Sequence, residues 1–534
     1  MAMGRPRSAG GARGASQAAG LELNAVTAEN AAGERPAGKG PAEPADASEQ
    51  MHIRRDKREK LLANGEAPYP VALPRTHSLT EVRAKYPDLK PDTATGEKVG
   101  VVGRVVFIRN TGKLCFATLQ EGDGTRLQAM LSLANVGEQR LADWKALVDL
   151  GDHVFVSGEV ISSRRGELSV MVDEWQMASK ALRPMPTLHA DLNEETRVRQ
   201  RYVDLMVREE ARKMVYTRSK ITKSVRDTLD SHGYVEVETP MLNLIHGGAT
   251  ARPFSTHLNA FDQTMTLRIA TELYLKRAVV GGIERVYEIG RVFRNEGVDS
   301  THSPEFTTLE CYEAYADQFT MADRMKEIIL NVADVVGIRQ IETPEGTIDL
   351  DGEWKWLGVY PGLSEAVGEE ITPDTPLERL LEIGDAHGVK TDPLWTQEKA
   401  VIELFGEIVE PTLLNPTFVY DYPPSAQPLA RPHREDPRLI EAWDLIIGGM
   451  ERGTAFSELI DPVIQRERLT EQSRLAAEGD DEAMALDEDF LRALEYGAPP
   501  MGGIGLGIDR LVMLFTQAGI RETILFPLLK PEAN

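Results

Sequence analysis

Arg294, Glu296 and Phe306 have the residue types and spacing that first suggest chemistry, within RVFRNEGVDSTHSPEFTTLECYEAY over residues 291–315. Arg294 and Glu296 stand two apart in a strand-like stretch, and side chains two apart in a strand share a face. A turn-rich GVDSTHSP follows. From Pro304 a second alternating stretch puts Phe306, Thr308, Glu310 and Tyr312 on one face. Paired as a hairpin, the two strands gather a cation, a flat ring and two carboxylates over one surface. Such a surface suits a purine nucleotide, with a ring to stack the base, an arginine for a phosphate and a carboxylate for an amino group. The plainer alternative is an exposed amphipathic hairpin with ordinary ion pairs.

A second segment favours the nucleotide. Residues 502–515 read GGIGLGIDRLVMLF, a glycine-rich approach to an apolar stretch of helical character, with Arg510 at the junction. Glycines let backbone approach a ligand closely, and a helix N-terminus favours anions. The spacing satisfies neither GxGxxG nor, anywhere in the chain, GxxxxGK[ST], so the site is neither of the Rossmann nor of the P-loop kind.

The elements that must position these residues are legible in outline. YVEVETPML (234–242), RVFRNEG through PEFTTLE, and GIGLGIDR (503–510) resemble, in order, the three motifs of the class II aminoacyl-tRNA synthetases. From about residue 52 to the C-terminus the chain is similar to the subclass with an N-terminal anticodon-binding barrel (subclass IIb), and within it to the bacterial lysine enzymes. The resemblance implies an α+β protein: an OB-fold β-barrel followed by an antiparallel-sheet catalytic domain. It also implies a homodimer, with the first motif, a strand ending at Pro240, at the interface. The expected division is a tail over 1–50, an N-terminal helical segment over 51–97, the barrel over 98–181, a hinge over 182–204 and the catalytic domain over 205–534. A long helical stretch is expected to reach about residue 232, with further helices near 319–337 and 464–495.

Composition agrees. At 534 residues the chain is too long for one compact core. Cys115 and Cys311 are far apart, without metal-ligand spacing or a disulfide framework, which fits a reducing cytoplasmic setting. No apolar stretch reaches the ~18 residues of a membrane span, and the first residues lack the apolar core of a secretory signal. The first fifty residues, rich in Ala, Gly, Glu and Pro, are expected to be disordered.

The net charge of −24 argues for weak non-specific nucleic-acid binding. Residues 98–181 are neutral, with 10 Lys or Arg against 10 Asp or Glu. RNA contact must then rest on local basic patches such as Arg104, Arg109 and Lys113, or IRRDKREK at 53–60. Short alternating strands and the GDG turn in 98–181 suggest the barrel, a fold that stacks single-stranded bases on aromatic rings. By resemblance, Phe116 stacks on the central anticodon base and Gln128 hydrogen-bonds to it. The alternative for Phe116 is a core position.

Substrate choice follows from charge. An ammonium side chain needs carboxylates in a pocket that otherwise excludes water. RIATELYLKR offers Glu272, TTLECY offers Glu310 and Tyr312, GTAFSELID alternates Thr454, Phe456 and Glu458, and GGATARPF supplies a turn at Gly248. The resemblance implies that Glu458 faces the lysine ε-ammonium and Glu272 its α-amino group. Glu310, Tyr312, Phe456, Thr454 and Gly248 complete that pocket. It also implies that Arg294 holds the α-phosphate of ATP, Arg510 and His302 the γ-phosphate end, with Phe306 stacked on adenine and Glu296 near its amino group. Asp444 and Glu451 would hold Mg²⁺, up to three ions accompanying ATP. The partners are then L-lysine, ATP and tRNA(Lys).

Some positions depart from the pattern. Thr454 and Ile460 stand where asparagine is frequent, Asp444 where glutamate is common and Thr301 where arginine is often found. Three other readings compete: an RNA-binding protein without activity, an enzyme that lysylates protein or lipid, and an aspartate-class synthetase. The intact arginines oppose the first. The barrel without membrane helices opposes the second, and the acidic pocket opposes the third.

Overall fold

The computed structural model describes residues 45–186, 192–479 and 483–531. Most of the tail, part of the hinge and the centre of the 464–495 segment therefore lie outside the described residues. Helix α1 (Ala45–Ala63) begins inside the stretch read as tail. Helix α2 (Leu79–Lys85) opens on a capping box, in which Ser78 and Glu81 satisfy each other's amides.

The barrel strands are β1 (Thr93–Thr111), β2 (Leu114–Gln120), β3 (Arg126–Ser132), β4 (His153–Ser162) and β5 (Leu168–Ser179), closed in the order β1-β2-β3-β5-β4. Short helices α3 (Leu133–Val136) and α4 (Glu138–Leu147) bridge β3 to β4. Period-two burial builds the interior: on β2, Cys115, Ala117 and Leu119 point inward while Leu114, Phe116 and Thr118 point outward. The basic run at 53–60 serves packing in part. Buried Arg54 donates to Leu150 O at 3.0 Å and Ala181 O at 3.2 Å, and Lys57 pairs with Asp149 at 2.6 Å.

The expected long helix divides into α5 (Glu194–Arg199), α6 (Arg201–Val207) and α7 (Glu209–Ser231). The break falls at Arg208, whose backbone is extended, and buried Asp204 pins both sides of it by accepting from Arg201 (2.8 Å) and Arg208 (3.0 Å). Arg201 also donates to Leu525 O at 3.1 Å and Arg521 O at 3.0 Å.

Strand β6 (Val235–Glu236) then meets the main sheet, and β7 (Leu242–Asn243), β8 (Ser255–Leu258) and β9 (Gln263–Leu267) form a small sheet beside it. The first motif thus yields only two short ladders. Pro240 has no amide to donate, and Thr239 N turns aside to Glu288 at 3.0 Å. Helix α8 (Glu272–Val280) precedes β10 (Arg285–Phe293) and β11 (Glu305–Ala314), the expected hairpin. Helix α9 (Gln318–Val336) and the hairpin β12 (Gln340–Thr343) and β13 (Gly346–Asp349) lead to β14 (Lys355–Gly358). Helices α10 (Val359–Val367), α11 (Leu377–Ala386) and α12 (Gln397–Ile408) build a satellite core. The sheet is completed by β15 (Thr417–Tyr420), β16 (Ala442–Ile446), β17 (Glu451–Ser457) and β18 (Met501–Gly507). Helices α13 (Pro462–Ala477) and α14 (Glu488–Glu495) precede β18, and α15 (Ile508–Thr516) and α16 (Ile520–Thr523) follow it.

The eight strands run β14-β15-β16-β17-β18-β11-β10-β6, antiparallel throughout except at the β14–β15 and β10–β6 edges, which are parallel. Helices α7, α9 and α15 bury one face through Ile221, Val225, Met325, Ile329, Leu511 and Val512. The other face carries the polar side chains.

Candidate active site

The hairpin of the second motif pairs in register, with Glu288 opposite Glu310 and Val292 opposite Phe306. Arg294 and Glu296 were expected inside the first strand, but they follow its end at Phe293. Arg294 N still donates to Pro304 O at 2.9 Å, so the guanidinium stays at the mouth of the hairpin. Phe306, Thr308, Glu310 and Tyr312 share the pocket face of β11, while Leu309 and Cys311 enter the core. The Arg294 guanidinium carbon lies 5.3 Å from the centre of the Phe306 ring, and its Nε donates to Ile269 O at 3.4 Å.

Strand β18 runs between β17 and β11. Tyr312 and Phe456 both register with Gly503, and Glu310 and Thr454 with Gly505. The glycines therefore form a floor without side chains, while Ile504 and Leu506 pack into the core. A Cβ on Gly503 would overlap Glu458 Oε1 and the Tyr312 ring. Gly248, at φ +87°, lies under Ala270 and Glu272, whose Cβ atoms would be 3.1 Å from a Cβ there.

The resulting cavity, about 380 Å³, contains all the residues expected to bind ATP, lysine and metal: Arg294, Glu296, His302, Phe306, Gly248, Glu272, Glu310, Tyr312, Thr454, Phe456, Glu458, Asp444, Glu451 and Arg510. The three pocket glutamates are buried. Burial is the largest influence on each and pushes all three carboxyls upward, Glu310 to about 7. Glu310 Oε1 accepts the Thr271 amide at 3.0 Å. Glu458 Oε1 is buried without a hydrogen-bond partner.

At the other end Arg510 Nη1 donates to Glu451 Oε2 and Glu451 O, both at 3.1 Å. Its Nη2 lies 3.4 Å from His302 Nε2, and His302 Nδ1 lies 2.8 Å from Asp299 Oδ2. An arginine nitrogen only donates, so this geometry puts the imidazole proton on Nδ1, toward Asp299. Asp444 faces Thr454 across the β16–β17 ladder, and burial, then the neighbouring Glu451, push its carboxyl up. Among the described residues no group of three or more His, Cys, Asp or Glu is arranged to hold a metal. Two hard carboxylates completed by phosphate oxygens and water are nevertheless a donor set that suits Mg²⁺.

Three contributors escaped the sequence reading. Lys276 Nζ is buried between Glu272, at 2.6 Å, and Glu458 Oε2. Its i,i+4 spacing from Glu272 was a visible signal. Asp509 binds Arg218 and the Thr307 amide. Buried Arg452 donates to Arg510 O at 3.1 Å. Of the proposed departures, Thr301 is tied into the Asp299 turn at 2.9 Å.

On the barrel, Phe116 is half-buried on the outer face, which excludes the core alternative, and Arg109 sits 4.6 Å above its ring. Gln128 accepts from Ser169 Oγ at 3.0 Å. Both line an open groove with Arg109, Arg126 and Arg165. Arg104 does not belong to a surface patch: it is half-buried and donates to Gly151 O at 3.0 Å.

An OB-fold barrel joined to an antiparallel sheet with this pocket is the architecture of an aminoacyl-tRNA synthetase. Residues 193–530 match the family model for class II tRNA synthetases (D, K and N), and residues 99–178 match that for OB-fold nucleic-acid-binding domains. The chain belongs to this class II family. It is 59% identical to a lysine–tRNA ligase of Mycolicibacterium gilvum over 92% of this chain and 99% of that one. It is 57% identical to the lysine–tRNA ligase of Kineococcus radiotolerans over 91% of this chain and 98% of that protein. It is also 46% identical to a lysylphosphatidylglycerol biosynthesis bifunctional protein of Mycobacterium ulcerans, over 90% of this chain but 44% of that protein. Among the described residues no helix is long and apolar enough to cross a membrane.

Proposed function

We propose that this chain activates L-lysine with ATP and transfers it to the 3′ end of tRNA(Lys), as a lysine–tRNA ligase. The observation that carries the substrate reading is the charge of the pocket. When ionised, Glu272, Glu310 and Glu458 bring three negative charges against Lys276 and, at the mouth, Arg294. The deficit of one positive charge matches free lysine, which carries two ammonium groups and one carboxylate. Glu458 Oε1, buried and unpartnered, offers an acceptor for the ε-ammonium. An aspartate side chain would meet the same carboxylates and be repelled.

Adenylation needs little acid–base chemistry. The lysine carboxylate oxygen attacks the α-phosphorus, the bond from that phosphorus to the bridging oxygen breaks, and pyrophosphate leaves. The protein supplies in-line placement and charge neutralisation. Arg294 holds the α-phosphate, Phe306 stacks on adenine beside Glu296, and Arg510 with His302 holds the γ-phosphate end. Asp444 and Glu451 would hold Mg²⁺, which neutralises phosphate charge when bound. A ribose hydroxyl of the tRNA terminus then attacks the acyl carbon and AMP departs. Phe116 and Gln128 read the anticodon, and Arg109 supports the phosphate backbone.

Exposed Val235, Met241, Leu242, Leu244 and Ile245, beside the open β6 edge, support a homodimer through the first motif. The setting proposed is the cytoplasm. ATP–pyrophosphate exchange with each of the twenty amino acids, without tRNA, tests the reading. Exchange with lysine alone is expected. Exchange with aspartate or asparagine overturns the pocket assignment, and silence with all twenty overturns the activity.

A further inference from the structure

Lys276 stands behind the cavity wall, its ammonium buried against two of the glutamates that line the cavity. Its side chain is 1% exposed, and Nζ bridges Glu272 on its own helix and Glu458 beyond the end of β17. The titratable and charged groups facing it are Glu272 from α8, Glu458, and Tyr312 from β11, whose ring centre lies 6.0 Å from Nζ; Glu310 lies beyond, 3.5 Å from the Tyr312 hydroxyl, and β18 presents Gly503 beside Tyr312 and Glu458. Helix α14 packs on α8 through Leu273, Phe490 and Leu494, and its ion pair with α8, Arg277–Asp489, lies toward solvent.

Three carboxylates buried together cannot all remain ionised without a counter-charge, because burial and mutual repulsion both favour protonation. Yet an ammonium substrate is bound by the ionised forms. We propose that Lys276 is a positioning and specificity-determining residue: its fixed ammonium shifts Glu272 and Glu458 toward the ionised form and aims them, and thereby sets the affinity for lysine. The inference rests on the lysine-activating reading above. Two of the three Lys276 neighbours, Glu458 and Tyr312, come from elements distant in sequence, so the bridge also fixes the spacing of helix α8 from the sheet.

Lys276→Met removes the charge and keeps an unbranched side chain. In ATP–pyrophosphate exchange the KM for lysine should rise at least tenfold at pH 7, with the KM for ATP within about threefold of the parent. The ratio of variant to parent KM for lysine should shrink as pH rises from 6.5 to 8.5, because added base ionises the carboxyls that Lys276 no longer shifts toward the ionised form. Lys276→Arg, which restores a cation, should leave that ratio nearly independent of pH. An unchanged KM for lysine, or a raised one whose ratio ignores pH, overturns the proposal. If Lys276→Met does not fold, Lys276→Gln is measured in the same way. If neither folds, Lys276 is a structural residue and the proposal is overturned. A parent protein silent with lysine removes the lysine reading itself, whereas an active parent with indistinguishable variants removes this inference alone.

Discussion

The Asp509 carboxylate accepts the Thr307 amide at 2.7 Å, tying the first turn of α15 to the strand that presents Phe306. Its other oxygen holds Arg218 of α7 at 2.5 Å. One buried carboxylate thus joins the second motif, the third motif and the helical layer behind the sheet. The residues on either side of this bond, Phe306 and Arg510, face the same cavity as a consequence.

Asp509→Ala would strand the Arg218 charge. Removing one partner of a buried pair costs about 3–5 kcal/mol, and the part-exposed Arg218 places this case at about 3. Thermal unfolding should show a clear fall in Tm, and the KM for ATP should rise in the folded fraction. A Tm equal to that of the parent counts against the bond as a fastening.

Gly503→Ala puts a methyl group against Glu458 and Tyr312. The prediction is a loss of at least 100-fold in kcat/KM for lysine, equivalent to about 2.7 kcal/mol. Circular dichroism of the folded sheet should be unchanged. Full activity with lysine would remove Gly503 from the pocket floor.

Glu310 stands at about 7 against an ordinary 4.5, chiefly because it is buried. Recognition of an ammonium uses the ionised carboxylate, so kcat/KM for lysine should fall as pH drops through about 7. For stability the sign is the reverse. Folding favours the protonated form, so its contribution is complete below 4.5 and is lost as pH rises through about 7. Because the carboxyls interact, the measured midpoint belongs to the cluster. Glu310→Gln should raise the KM for lysine and flatten the acid limb of a profile taken between pH 5.5 and 8.5.

Phe116→Ala and Gln128→Ala should separate the two halves of the reaction. Loss of base stacking costs about 1–3 kcal/mol, so Phe116→Ala should raise the KM for tRNA roughly 5- to 150-fold. Lysine-dependent pyrophosphate exchange, which needs no tRNA, should remain at the parent level. A parallel fall in exchange would place the effect outside the barrel groove.

Alternation along β11 made it legible that Phe306, Glu310 and Tyr312 share a face, because the strand period depends only on local backbone geometry. The same logic left Phe116 open between groove and core, and the closed barrel decided it by taking Cys115 and Ala117 inward. Alternation and the GDG turn marked the barrel, and the three ordered motifs marked the synthetase class. What local pattern leaves open is the pairing of distant segments. Arg294 and Glu296 lie beyond the strand because the ladder ends at Phe293, and Arg104 turns inward because Gly151 supplies a carbonyl to it. The β18 glycines read as a phosphate approach, yet they form a pocket floor once β17 and β11 flank them. Glu272 and Glu458 were both visible as acids, but only folding brings them onto the same lysine. Charge in a buried site is set by neighbours in space, and only the tertiary structure decides those neighbours.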